Sequence, residues 1–244
     1  MFRNVLLRVS TGMFTLFFLS SAYLCQGQDV GGSAGDDNEE WFLAVTYAAT
    51  CSPGKTPVGV VNKNMDKFLS LLDKVADIDV KSKSYPGSNA LMIAIHPNNP
   101  KVFDLLLEHG ANVNARDDEG VTVLMYAANM GNVRAAKILL ENGANINDVS
   151  NAGQTALIIA AARGFDIVNL LLEYGADVNV KGADNETALM SAVILGSEDT
   201  IKILLDKGAD VAVADREGNT ALAYAKKFNR EDIVTMLKNA GAVD

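Results

Sequence analysis

The chain has 244 residues, 49% hydrophobic and 21% charged, with 21 Lys and Arg against 30 Asp and Glu for a net charge of −9. The acidic surplus argues against a phosphate backbone as partner, so no nucleic acid is expected. With only two cysteines and two histidines, neither a tetrahedral metal site nor a catalytic triad can be assembled, and no metal, cofactor or catalytic activity is expected.

The first 27 residues follow a logic of their own. Arg3 and Arg8 precede the apolar stretch "VSTGMFTLFFLSSAYL", and small residues follow it. A basic start, an apolar middle and a small-residue end mark a secretory signal peptide over 1–27, with cleavage after Ala22 or Gly27. The Ser, Thr and Gly breaks tell against a spanning helix, which needs about 20 mainly apolar residues, so no stable membrane insertion is expected. Lipid anchoring at Cys25 would place the bulky Leu24 where such signals carry a small residue. The expected location is therefore secreted or periplasmic. Removal of residues 1–27 leaves 19 basic and 30 acidic residues, net −11. Whether Cys25 survives to pair with Cys51 depends on the cleavage site.

Residues 28–38 read as a polar, flexible linker. From Glu39 the pattern turns helical, with Trp41, Val45 and Ala48 along one face, and a second apolar helix is expected in "MDKFLSLLDKVADIDV". Between them an insertion of about a dozen residues, 51–63, contains Ala49 and Gly54-Lys55-Thr56 at the spacing of a relaxed phosphate-binding loop. That chemistry needs a strand before the loop and a helix after it. Here the preceding text is helical and Pro57 follows at once, so the segment reads as a structural loop; a nucleotide-binding enzyme using 49–56 is the alternative.

The remainder is periodic. Gly110, Gly143, Gly175, Gly208 and Gly241 stand 33, 32, 33 and 33 residues apart, the signature of an array of one supersecondary unit. In each unit a Thr (Thr122, Thr155, Thr187, Thr220) is placed to cap a short helix. Nine residues later Gly131, Gly164 or Gly196 allows a turn into a second apolar run, such as Ile138-Leu139-Leu140, which the Gly of the period ends. A second Gly (Gly120, Gly153, Gly218), or Asn185 in the fourth unit, marks a hairpin tip. Helices of about ten residues are marginal alone, so the leucines must be buried between neighbouring units.

These residues resemble the ankyrin repeat, whose pattern runs Asp-x-x-Gly-x-Thr-Pro-Leu-His-x-Ala-Ala, Gly-His, Ile-Val-x-x-Leu-Leu, Gly-Ala-Asp-Val-Asn. Five units match, at about 84–116, 117–149, 150–181, 182–214 and 215–244, and 39–80 reads as a degenerate N-terminal capping unit. The Pro after Thr is replaced by Val123, Ala156, Ala188 and Ala221. The third unit is one residue short near Gly164, where a tighter inter-helix turn is expected. The first unit starts from Asn89 and turns through His96-Pro97-Asn98-Asn99-Pro100.

The resemblance implies an all-α solenoid of stacked helix-turn-helix units with β-hairpin-like loops, and a non-catalytic scaffold, a monomer, that binds a protein or peptide along a concave groove. Carried over by position, the hairpin tips offer Arg116, Asp118, Glu119, Val121, Asn151, Gln154, Lys181, Asp184, Glu186, Arg216, Glu217 and Asn219. The first helices offer Asn129, Met130, Arg163, Ile194, Leu195 and Phe228. The apolar members are expected either to anchor a partner or to fill space between stacked helices.

Overall fold

The computed structural model describes residues 37–50, 58–83, 87–97 and 100–243. Among them are twelve helices and no strand; the only β pairing is two isolated antiparallel bridges, Arg116 with Thr122 and Ala214 with Thr220. The expected signal peptide over 1–27, Cys25, Cys51 and the Lys55 loop lie outside the described residues. The chain divides into two units, one running to Asn112 and one from Val113.

The first unit contains α1 (Asp37–Thr50), α2 (Val58–Leu72), α3 (Ala90–Ala94) and α4 (Pro100–Glu108). Helix α1 packs against the other three. It does so through the expected face, since Trp41, Val45 and Ala48 are buried and Trp41 stacks on Phe68 with ring centroids 5.6 Å apart. Two boundaries differ from expectation. Asp37 and Asn38, read as linker, are helical, and α2 begins at Val58, so residues 58–63 belong to a helix and not to an insertion. Gly59 and the β-branched residues around it disfavour helix intrinsically, and the helix forms against that preference. Helix α2 also stops at Leu72, well before Val80, where the Asp77 carboxylate accepts from the Asp79 amide at 2.9 Å and offers the backbone a turn in place of the helix. Asp79 then ties two loops together: it accepts from Asn89 Nδ2 at 3.1 Å and from the Asn112 amide at 3.0 Å.

The second unit is four helix pairs: α5 (Val123–Met130) and α6 (Val133–Glu141), α7 (Ala156–Ala161) and α8 (Phe165–Glu173), α9 (Ala188–Leu195) and α10 (Glu198–Asp206), α11 (Ala221–Lys227) and α12 (Glu231–Asn239). First helices stack as α5, α7, α9, α11, and second helices as α6, α8, α10. Each expected Thr cap forms: the hydroxyls of Thr122, Thr155, Thr187 and Thr220 accept from the amide three residues on, at 3.2–3.3 Å.

The core divides the labour by residue size. Ala127, Ala160, Ala192 and Ala225 are fully buried in the first helices, where small side chains let helices approach. Leu139, Leu171, Leu204 and Leu237 are fully buried in the second, each contributing roughly 1.5–3 kcal/mol by leaving water. The expectation that both leucines of each pair are buried is only partly met, because Leu140 and Leu205 are half-buried.

The turns follow the period with two informative exceptions. Helix-ending Gly143, Gly175 and Gly208 lie at φ 82°, 87° and 84°, and Asn185 takes its tip position at φ 57°. Asn229, at φ 53°, stands in the last pair where Gly131 and Gly196 stand in others. The missing residue near Gly164 is absorbed by α7, which ends at Ala161 and closes through a 2.7 Å bond from the Arg163 amide to the Ala160 carbonyl. Gly164 is consequently at φ 153° and not in a left-handed turn.

A second ladder runs along the loops that follow the second helices. The side-chain oxygens of Asn114, Asn147 and Asn179 accept from the amides of Asn145, Asp177 and Asp210 at 2.8–2.9 Å. At the tips, the Asn151 amide donates to the Glu119 carbonyl and the Arg216 amide to the Asp184 carbonyl, both at 2.9 Å. Gly153 approaches the next tip so closely that a Cβ there would lie 2.2 Å from the Ala183 nitrogen, whereas one at Gly143 would meet nothing within 4 Å. Gly143→Ala is therefore expected to cost about 1–2 kcal/mol through its φ alone, and Gly153→Ala about 1–3 kcal/mol more as the Ala183 backbone is displaced. Urea unfolding followed by circular dichroism reads the difference; coincident midpoints would contradict the close approach of the tips.

Candidate functional site

The hairpin tips are built on a buried acceptor. In the first tip of the second unit, Asp117 Oδ1 accepts from the amides of Glu119 and Val121 at 2.9 and 2.8 Å, and Oδ2 accepts from the Tyr126 hydroxyl at 2.9 Å. Asp215 repeats this with Glu217, Asn219 and Tyr224. The two tips between them lack that Asp, having Ser150 and Gly182 in its place. At the first of these Ser150 Oγ still accepts from the Gln154 backbone amide at 3.2 Å, and buried Glu186 adds a carboxylate from another position, accepting from the Gln154 side-chain amide at 2.9 Å on one oxygen and from the Ser191 hydroxyl at 3.0 Å on the other. Gln154 and Glu186 thus add a polar link between two repeats to the links within each.

Several predicted surface residues are consequently internal. Gln154 and Glu186 are buried against each other, and Asn129 is buried while its Oδ1 accepts from Arg163 at 2.6 and 3.1 Å. Arg116 donates to the carbonyls of Gly120 and Val149 and pairs with Asp148 at 2.7 Å; Arg216 pairs with Asp184 at 2.9 Å and donates to the Ala183 carbonyl. These two arginines and Asp184 staple successive tips. Asp118, Glu119, Asn151, Lys181 and Glu217 are exposed, and Val121 and Asn219 are half-buried.

The first helices reach solvent chiefly at their C-terminal ends. Met130, Arg163, Leu195 and Phe228 occupy one position of four successive repeats, the eighth after the capping Thr, and form a row. Met130 is half-buried and Arg163 exposed, while Leu195 and Phe228 are 48% and 44% exposed, which is high for large apolar side chains. Ile194, one residue earlier, is less exposed than Leu195. Phe228 stacks on Tyr224 with centroids 6.4 Å apart; the Arg230 guanidinium sits 5.9 Å from the Phe228 ring and donates to the Ile194 carbonyl at 3.0 Å. Gly196 makes room for Arg230, since a Cβ there would overlap its guanidinium. Arg230 was not among the residues read from the sequence, because its repeat position holds Asn132 and Ser197 in neighbouring units and so carries no pattern.

Two carboxylates are shifted in opposite directions. Burial pushes Glu186 up, against the hydrogen bonds from Gln154 and Ser191 that favour its charged form. Burial would also raise Asp215, but the Tyr224 hydroxyl and the amides of Asn219 and Glu217 outweigh it and hold the group below its ordinary range. Tyr224 is pushed up by burial and by donating to Asp215. His96 is lowered by burial. Among the described residues no group of three or more His, Cys, Asp or Glu side chains is placed to hold a metal, and no helix is long and apolar enough to cross a membrane.

The family model for ankyrin repeats (3 copies) matches residues 58–150, 118–182, 142–215 and 181–244, well over half of the chain. The chain belongs to the ankyrin repeat family. A Rickettsia felis protein that carries the ankyrin repeat name is 34% identical over 58 residues, 24% of this chain and 19% of that protein, so the chain spans about a fifth of that relative's length. Ankyrin repeats are in general protein–protein interaction modules and typically non-catalytic. In this ankyrin chain the first match includes α2, which places that helix inside the repeat region.

Linkage fixes the sign of two pH effects. Glu186 binds its proton more tightly folded than unfolded, so the native state loses stability as pH rises from the unfolded glutamate value of 4.5 through the folded one. Glu186→Gln removes that loss, and its melting temperature relative to wild type is expected to climb as pH rises above that value. Asp215, depressed when folded, contributes stability that is present above 3.8 and lost as pH falls through its folded value. The Asp215→Asn penalty is therefore expected to shrink at the acid end. Melting temperatures between pH 2 and 8 check both; a Glu186→Gln difference that does not vary with pH would contradict the first.

Proposed function

We propose that this chain is a non-catalytic scaffold acting outside the cytoplasm, capped at its N-terminal side by the unit over 39–80, and that it grips one protein or peptide on the face made by hairpin tips and first-helix ends. The carrying observation is the row Met130, Arg163, Leu195, Phe228. The rest of each first helix is spent on packing, and two large apolar side chains stay open at the one end that reaches water. Exposed apolar residues set among polar ones are the usual anchors of a binding surface. Arg116, Asn129, Gln154 and Glu186 shape that face from within, and the contacts pass to Arg163, Ile194, Leu195, Phe228 and the exposed tip residues Asp118, Glu119, Asn151, Lys181 and Glu217. The basic start and apolar middle of residues 1–27 support export.

A photo-cross-linking residue at Leu195 or Phe228 is expected to give a discrete adduct with a protein from the exported fraction, while one at exposed Lys137 on α6 gives none. Phe228→Ala is expected to weaken capture by about 2 kcal/mol, the scale of an interface anchor, with an unchanged circular dichroism spectrum. Adducts formed from Lys137 alone would place the partner on the second helices instead. The mass of the mature N-terminus tests export: a chain that keeps Met1 contradicts it.

A further inference from the structure

The exposed apolar row carries a charge pattern that the chain as a whole does not. Carboxylates outnumber cations by 30 to 21, and the two tip arginines, Arg116 and Arg216, are each paired with an Asp. Arg163, Lys227 and Arg230 have no carboxylate within 4.0 Å among the described residues. Their partners are a neutral amide oxygen for Arg163, the Tyr224 ring for Lys227, and the Phe228 ring with the Ile194 carbonyl for Arg230. In an acidic protein, cations left without carboxylates are disposed to take them from elsewhere.

The contacts place these charges around the apolar anchors. Lys227 lies 5.9 Å from the Tyr224 ring, Tyr224 stacks on Phe228, Arg230 covers Phe228, and Arg230 reaches the residue preceding Leu195. Packing against an aromatic face holds a cation in position and leaves its hydrogen-bonding capacity open. Arg163 stands one repeat away at the row position of Leu195. The patch thus combines two open apolar side chains with three cations that have no carboxylate partner among the described residues.

We propose that this patch binds an acidic peptide segment carrying one large apolar side chain, the apolar group seated at Leu195 and Phe228 and carboxylates received by Arg163, Lys227 and Arg230. This rests on the scaffold reading and adds the chemistry of the partner. An extended polyanion fits less well, because exposed Glu198, Asp199, Glu231 and Asp232 follow within a few residues of the patch and would repel a phosphate backbone or an anionic membrane.

Selection of a displayed random dodecapeptide library on the full chain tests it, with the enriched peptides synthesised and measured by fluorescence anisotropy. The enriched peptides are expected to carry two or more Asp or Glu around a Leu, Met, Phe or Trp. Their binding should weaken at high salt, by about fivefold or more in Lys227→Glu and by about tenfold or more in Phe228→Ser. Lys227 is exposed, so its charge reversal leaves the fold in place, and Lys227→Gln is expected to fall between wild type and Lys227→Glu. Neutral or basic peptides that are lost in Phe228→Ser keep the binding face and overturn the charge assignment. Peptides indifferent to both substitutions overturn the patch and leave the scaffold standing on another face. No enrichment, or binding only to phosphatidylserine vesicles, overturns the patch, and the cross-link at Leu195 then reads the scaffold independently.

Discussion

Every short helix pair from Val113 onward depends on burial against a neighbour about thirty-three residues away. A helix of six to nine residues gains too little from its own hydrogen bonds to persist in water. What stabilises it is a fully buried Ala in the first layer and a fully buried Leu in the second, repeated at one position in each unit. The capping Thr, the helix-ending Gly and the tip residue then fix the angle at which each pair meets the next. The proposed binding face follows from the same constraint, since a first helix committed to packing along its length leaves open its end and the adjoining tip.

Polar contacts along the stack are directional where burial is not. The asparagine ladder at one edge, the Arg116–Asp148 and Arg216–Asp184 pairs at the tips, and the Gln154–Glu186–Ser191 link all set register. The tips without Asp are instructive: Gly182 carries no side-chain acceptor, and Glu186, four residues on, places a buried carboxylate that links to Gln154 of the preceding repeat. Burial leaves that carboxylate protonating more readily than its counterpart Asp215, so two chemically similar tips respond differently to acid.

Much of this was legible in the sequence, because it rests on local chemistry repeated in a fixed frame. Thr before an apolar run, Gly at the helix end and Asn185 in place of a tip Gly each state a backbone requirement in one residue. Residues whose role depends on a neighbouring repeat were less legible. Gln154 and Glu186 occupy a position that is half-buried as Val121 and Asn219, and nothing within either repeat says that the pair turns inward to meet. The ion pairs of Arg116 and Arg216 were hidden because their partners, Asp148 and Asp184, lie 32 residues away in sequence. Arg230 was invisible for the converse reason: it departs from the repeat, so the frame that revealed the rest gave no cue. The early start of α2 was equally hidden, since Gly59 and the valines beside it have low helix propensity.

Hydrogen exchange on Leu171→Ala tests the dependence on neighbours most directly. Leu171 is fully buried in α8, and its truncation is expected to cost about 2–5 kcal/mol. If the stack is what folds, protection should fall in α5, α6, α9 and α10 as well as in α7 and α8. Faster exchange confined to α7 and α8, with the flanking pairs as protected as in the wild type, would contradict the account.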